Sequence, residues 1–192
     1  MAFLIAGLVI FFGTHFFSAF RARGEGEGLV GRIGYLPYMG LISLGSLAGL
    51  VLMIWGYGAA RPSEILYQAP EWGRHVNLAL MLPAIILLVA AYVPSGHIKA
   101  LVKHPMLAAL KVWALGHLLA NGELNSVLLF GSFLVFGVVD RIAVKRRGDN
   151  GPAPDAPKNV VGDVAAVIVG VAAYLAITYY LHPILFGVPA VI

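Results

Sequence analysis

Six apolar runs separated by short polar segments constrain this chain before any single residue is weighed. They cover residues 2–20, 36–58, 76–94, 105–121, 124–142 and 162–183. A helix needs roughly 20 apolar residues to cross the hydrocarbon of a bilayer, and each run is of about that length. Hydrophobic residues make up 60% of the chain and charged residues 11%, with mean hydropathy +0.87, more apolar surface than a water-soluble domain carries. The expectation is an all-α, polytopic membrane bundle of about six transmembrane helices, forming one domain over residues 1–192. The first run has no basic segment ahead of it and no small-residue cleavage site, so it reads as a retained helix and not as a signal peptide.

The basic residues between the runs divide unevenly. Arg21, Arg23 and Arg32 follow the first run, Lys99 and Lys103 the third, and Arg141, Lys145, Arg146, Arg147 and Lys158 close or follow the fifth. Only Arg61 and Arg74 lie on the other side, and Lys111 falls inside a run. Ten against two, under the positive-inside rule, puts both termini outside, on the periplasmic face of a bacterial inner membrane. The net charge of +4 is accounted for by that orientation signal, so the sequence asks for no nucleic-acid partner; its partner is the lipid bilayer.

Residues 146–160 are rich in Pro, Gly and charge and read as a flexible cytoplasmic linker ahead of the last helix. The RARGEGEG segment at 21–28 has too many glycines to hold a helix and reads as a second cytoplasmic turn. In the second run Gly45 and Gly49 form a small-xxx-small pair, extended by Gly40, Ser43 and Ser46, of the kind that lets another helix approach closely.

Chemistry has few carriers in this chain. There is no cysteine, which excludes disulfides, thiolate metal sites and a cysteine nucleophile. Of the six histidines, His75 and His97 sit in or beside loops and read as interfacial. His15 and His117 lie inside runs, while His104 and His182 stand at run ends immediately before proline. An ionisable group within a membrane helix is costly unless it finds a partner in the bundle, so it marks either a functional site or an interhelical hydrogen bond. Two deep imidazoles with almost no intramembrane carboxylate favour axial ligation of a haem iron held between helices.

Trp113, His117 and Asn121 are spaced by four and share one stripe of the fourth run. Asn121 can fix the tautomer of His117, or can close the helix before Gly122. Lys111 is about 10 Å from the cytoplasmic end of its run and either snorkels outward or faces an acidic group, such as a haem propionate or Asp140. By the same rise His15 lies about 8 Å from that face and His117 about 20 Å. Depth alone pairs His15 with His104 and His117 with His182.

The stretch from His104 to Arg141 contains His104-Pro105, Lys111 with Trp113, HLLANG at His117–Gly122 and LLFGSF at Leu128–Phe133. In these features it resembles the core of the NnrU membrane-protein family, to which a plant carotene isomerase is related. THFFSAFRA around His15, the segment from Gly34 to Gly58, and LHPILFG around His182 extend the resemblance over nearly the whole chain. The resemblance implies a b-type haem with His15 and His117 as its ligands. It implies one of two activities: a redox or accessory role beside respiratory nitrite and nitric oxide reductases in denitrification, or haem-dependent cis–trans isomerisation of an apolar, carotenoid-like polyene. A third reading, a non-catalytic assembly subunit whose histidines are polar glue, stays open on the residues alone.

Overall fold

The computed structural model describes residues 1–20 and 28–191, and among these the regular structure is helical. The long helices are α1 (Ala2–Phe20), α3 (Tyr35–Ala59), α4 (Gly73–Tyr92), α6 (Pro105–Ala120), α7 (Leu124–Arg146) and α8 (Val160–Ala176). Short helices α2 (Gly28–Ile33) and α5 (His97–Val102) precede α3 and α6. A π-helical turn, Ile177–Leu181, prolongs α8 into the terminal α9 (His182–Phe186). Among the described residues five segments are long and apolar enough to cross a membrane, and α6 is a shorter apolar helix. The six expected runs therefore fold as helices; Arg21, Arg23 and nearly all of the glycine-rich turn lie outside the described residues.

Helix ends follow local chemistry. Pro105 opens α6, where its missing N–H has no partner to lose. Asn159 caps α8 by accepting from the backbone N–H of Val161 at 2.9 Å and of Gly162 at 3.3 Å. The polar segment from Arg147 to Asn159 carries no helix, in line with its composition, and it is pinned where the Asn159 N–H donates to the Ser95 carbonyl at 2.9 Å.

Neighbours in space run α3, α1, α7, α6, α4, α8, so that α7 stands between α1 and α6. Close approach of α1 to α3 depends on glycine. A Cβ on Gly49 would sit 2.7 Å from the Phe11 backbone nitrogen, and one on Gly45 would sit 2.7 Å from Thr14 Cγ2. The Gly45–Gly49 pair is thus a helix contact, with Ser46 Oγ 3.1 Å from Thr14 Oγ1 beside it. Gly40 faces open space and adds nothing to it. Leu4, Leu8, Phe12, Met53 and Phe136 form the buried core where α1, α3 and α7 meet. Many large apolar side chains point outward instead, among them Leu44, Ile54, Val161 and Ile168, as expected where lipid is the solvent.

Candidate functional site

Three histidines share one local geometry. On α1, His15 Nδ1 is 2.7 Å from the Phe11 carbonyl oxygen. On α6, His117 Nδ1 is 2.9 Å from the Trp113 carbonyl oxygen. At the start of α9, His182 Nδ1 is 2.7 Å from the Val188 carbonyl oxygen. A carbonyl only accepts, so each Nδ1 carries the donated proton, and in the neutral ring Nε2 keeps its lone pair. None of the three Nε2 atoms has a hydrogen-bond partner among the described residues. Metal-bound imidazoles have this arrangement: one nitrogen anchored to the protein, the other free to ligate.

His104 differs. Its Nε2 is the engaged nitrogen, 3.2 Å from the Asp149 carbonyl oxygen and 3.8 Å from Asp149 Oδ1, which ties the start of α6 to the linker. His75 is exposed. His97 is also exposed and lies 2.9 Å from Asp163 Oδ2 on α8.

Aromatic rings pack around the deep pair. His15 stacks on Phe11 at 4.0 Å and meets the edge of Phe136 at 5.7 Å. His117 stacks on Phe130 at 4.5 Å, with Trp113 tilted at 5.2 Å. Phe133 lies between the two sides, 5.6 Å from Phe11 and 5.4 Å from Trp113. Since His15 is abreast of Phe136 and His117 abreast of Phe130, six residues apart on α7, the two differ in depth by about 9 Å. Their donor chemistry fits a haem iron. Phe11, Phe133 and Trp113 lie between them, and no ring contact or hydrogen bond joins the two imidazoles directly among the described residues.

The other candidates on α6 are placed as follows. The Asn121 amide donates at 2.8 Å to the main-chain carbonyl of His117 and so closes the helix; it does not touch the imidazole ring. Lys111 lies along α7 at Gly137, and no ion pair joins it to Asp140 or to any other acid among the described residues. The described residues also hold no cluster of three or more side chains poised to bind a bare metal ion, whereas axial ligation of haem asks for only one or two imidazoles.

Around the C-terminal end of α6 the structure assembles residues that no sequence period announces. The Tyr67 hydroxyl donates to the carbonyls of Leu118 and Asn121, and burial raises its pKa. Asn125, fully buried, accepts from Ser63 Oγ at 2.9 Å and from the Ser126 N–H at 2.8 Å. Tyr57 hydrogen-bonds Ser126 at 2.9 Å, and the Arg61 guanidinium lies 4.5 Å over the Tyr57 ring. A hint was present in Asn125-Ser126, a polar pair at the head of an apolar run. Tyr67 and Arg61 sit in a loop without periodicity, and nothing in the sequence links them to α6.

The model of the family described as NnrU protein matches residues 3–190. The chain belongs to the NnrU family. That match takes in the six long helices, Ala2 aside, and all six histidines, so the NnrU chain's own geometry supplies the positions of these groups. No curated protein and no solved structure gives a significant match.

Proposed function

We propose that this NnrU protein resides in a bacterial inner membrane with both termini outside, and binds b-type haem through intramembrane imidazoles. Its role is redox or accessory, in support of nitrite and nitric oxide reduction. His117 is one ligand, and family resemblance implies His15 as the second. The observation that carries the reading is the shared tautomer: in a cysteine-free chain, deep imidazoles have Nδ1 fixed by a backbone carbonyl and Nε2 unengaged. Bound there, a haem would supply one-electron exchange at its iron.

The chain's residues account for the rest. Carbonyls of Phe11 and Trp113 hold the proton on Nδ1 and orient each ring. Phe11 and Phe130 restrict ring rotation by stacking. Trp113 walls the site, Asn121 fixes the helix end that carries His117, and Lys111, with no acidic partner among the described residues, is the cation available to a propionate.

Oxidised and reduced optical spectra of the protein purified in detergent from haem-replete cells test this reading. A Soret band that is lost in His117→Ala is expected. A colourless protein overturns the proposal and leaves the assembly-subunit reading. Isomerisation of a poly-cis carotene by the coloured protein would instead favour the polyene activity.

A further inference from the structure

Two half-buried cations, Lys111 and Arg141, stand along the seam between α6 and α7. Lys111 packs its stem on α7, with Cγ and Cδ at 2.9 and 3.7 Å from where a Cβ on Gly137 would sit. Arg141 follows Gly137 by four residues, one turn further along the same stripe of α7. The short connection between the two helices makes them antiparallel neighbours. Side chains in a helix lean toward its N-terminus. Lys111 therefore leans toward the start of α6 and Arg141 back toward Gly137, so the two long side chains converge on one stretch of the seam.

Neither cation is answered by the protein. Arg141 Nη1 is buried without a hydrogen-bond partner, and no described residue makes a hydrogen bond or ion pair with either side chain. Other cations are engaged: Arg147 Nη1 donates to the Ala19 carbonyl at 2.5 Å, and Lys99 Nζ to the Ala91 carbonyl at 3.1 Å. A desolvated guanidinium without a counter-charge is costly, and more so beside a second cation, so this stretch calls for an anion.

Depth and surroundings identify its source. Arg141 is about 8 Å from the end of α7, and Lys111 about 9 Å from the start of α6, which is where hydrocarbon gives way to headgroups when helix ends stand in the polar layer. Val138 and Ile142, exposed on α7 around Arg141, and Met106, exposed at the start of α6, add apolar surface suited to acyl chains. A soluble anion has no use for that surface.

We propose that Arg141 and Lys111 bind the phosphate of one phospholipid at the mouth of the α6–α7 seam. The planar fork of Arg141 suits two phosphate oxygens, and Lys111 adds a point charge. Two cations without an acid favour a headgroup of net negative charge over a zwitterionic one, whose amine they repel. The site does not depend on the haem reading, and it gives Lys111 a lipid phosphate as its anion in place of a propionate.

The test uses the full-length protein in detergent, stripped of lipid, with phosphatidylglycerol, phosphatidylethanolamine or inorganic phosphate added back. Bound lipid is read by native mass spectrometry and stability from the thermal midpoint. Wild type is expected to retain phosphatidylglycerol over phosphatidylethanolamine and to gain midpoint from it, but not from inorganic phosphate. Arg141→Met is expected to bind phosphatidylglycerol about tenfold more weakly, the loss of a charged hydrogen bond, while its lipid-free midpoint holds or rises because an unpaired charge has gone. Arg141→Lys, which keeps the charge but not the fork, is expected to fall between. Lys158→Gln, a cation removed from the exposed linker, is expected to bind as wild type does. Equal binding by wild type, Arg141→Met and Arg141→Lys overturns the proposal, as does an equal loss in Lys158→Gln, which marks diffuse surface charge. A midpoint gain from inorganic phosphate equal to that from phosphatidylglycerol overturns the lipid as the source.

Discussion

The α1–α3 seam and the end of the bundle where α6 gives way to α7 are held together by different means. Along α1–α3, glycines remove side chains so that two apolar helices touch backbone to backbone, and the core beside them is Leu, Phe and Met. Around α6 and α7 the contacts are polar: Tyr67 on two carbonyls, Asn125 between Ser63 and Ser126, Tyr57 on Ser126. Lipid is as apolar as leucine, so burial gives little drive for one membrane helix to meet another. Shape supplies it in the first region and hydrogen bonding in the second. The His117 imidazole, its Nδ1 bonded to the Trp113 carbonyl and its Nε2 without a partner among the described residues, sits beside the second, where polar atoms are already brought in.

Substitutions that attack each mode test the contrast. The largest effect is expected from Gly49→Leu, because the obstructing atoms are the Phe11 backbone and cannot rotate away. A loss of about 3 kcal/mol, read as a lowered thermal midpoint in detergent, follows from overpacking. Gly40→Leu, which points into open space, is expected to leave the midpoint unchanged.

At the polar end, Asn125→Ala strands the Ser126 N–H and the Ser63 hydroxyl in a buried site and is expected to cost about 2 kcal/mol by the same measurement. Equal losses in Asn125→Ala and in exposed polar controls would end the distinction between the two regions.

Tyr67→Phe removes one donor shared by two carbonyls, and about 1 kcal/mol is expected to be lost at neutral pH. The same residue gives a pH signature. Because burial raises its folded pKa above the ordinary 10.0, its stabilising contribution is complete below that value. It is lost as the pH climbs from there through the raised folded pKa, since the unfolded chain ionises first. Wild type is therefore expected to lose stability above about pH 10 more steeply than Tyr67→Phe in a denaturation series. The smallest effect belongs to His97→Ala, an exposed partner of Asp163, for which a change within about 0.5 kcal/mol is expected.

Much of the fold was legible because crossing a bilayer imposes length. The expected run at 124–142 became Leu124–Arg146, the run at 36–58 became Tyr35–Ala59, and the polar segment after Arg146 carries no helix. Chain order was a partial guide to packing order: α1 with α3, α4 with α6 and α6 with α7 are consecutive long helices, whereas α1 with α7 and α4 with α8 are not. These helices are apolar nearly all round, so no stripe tells which face meets protein and which meets lipid. That α7 separates α1 from α6 could not be read from spacing, although the depth difference between His15 and His117 along their own helices was visible beforehand. Asn121 illustrates a local ambiguity: its spacing from His117 suits either a ring contact or a helix end, and the hydrogen bond to the His117 carbonyl chooses the second.

The sequence by itself determined that the chain is a membrane-spanning helical protein, where its long helices lie to within a few residues, and that imidazole is its main resource for chemistry. Those properties follow from run length, from proline and asparagine at helix ends, and from a composition without cysteine. Only the tertiary structure decided which groups surround each imidazole. That depends on which helices are neighbours, on a π turn before His182, and on a loop that returns Arg61 and Tyr67 to the ends of distant helices. Such contacts join residues far apart in the chain, and no local period encodes them.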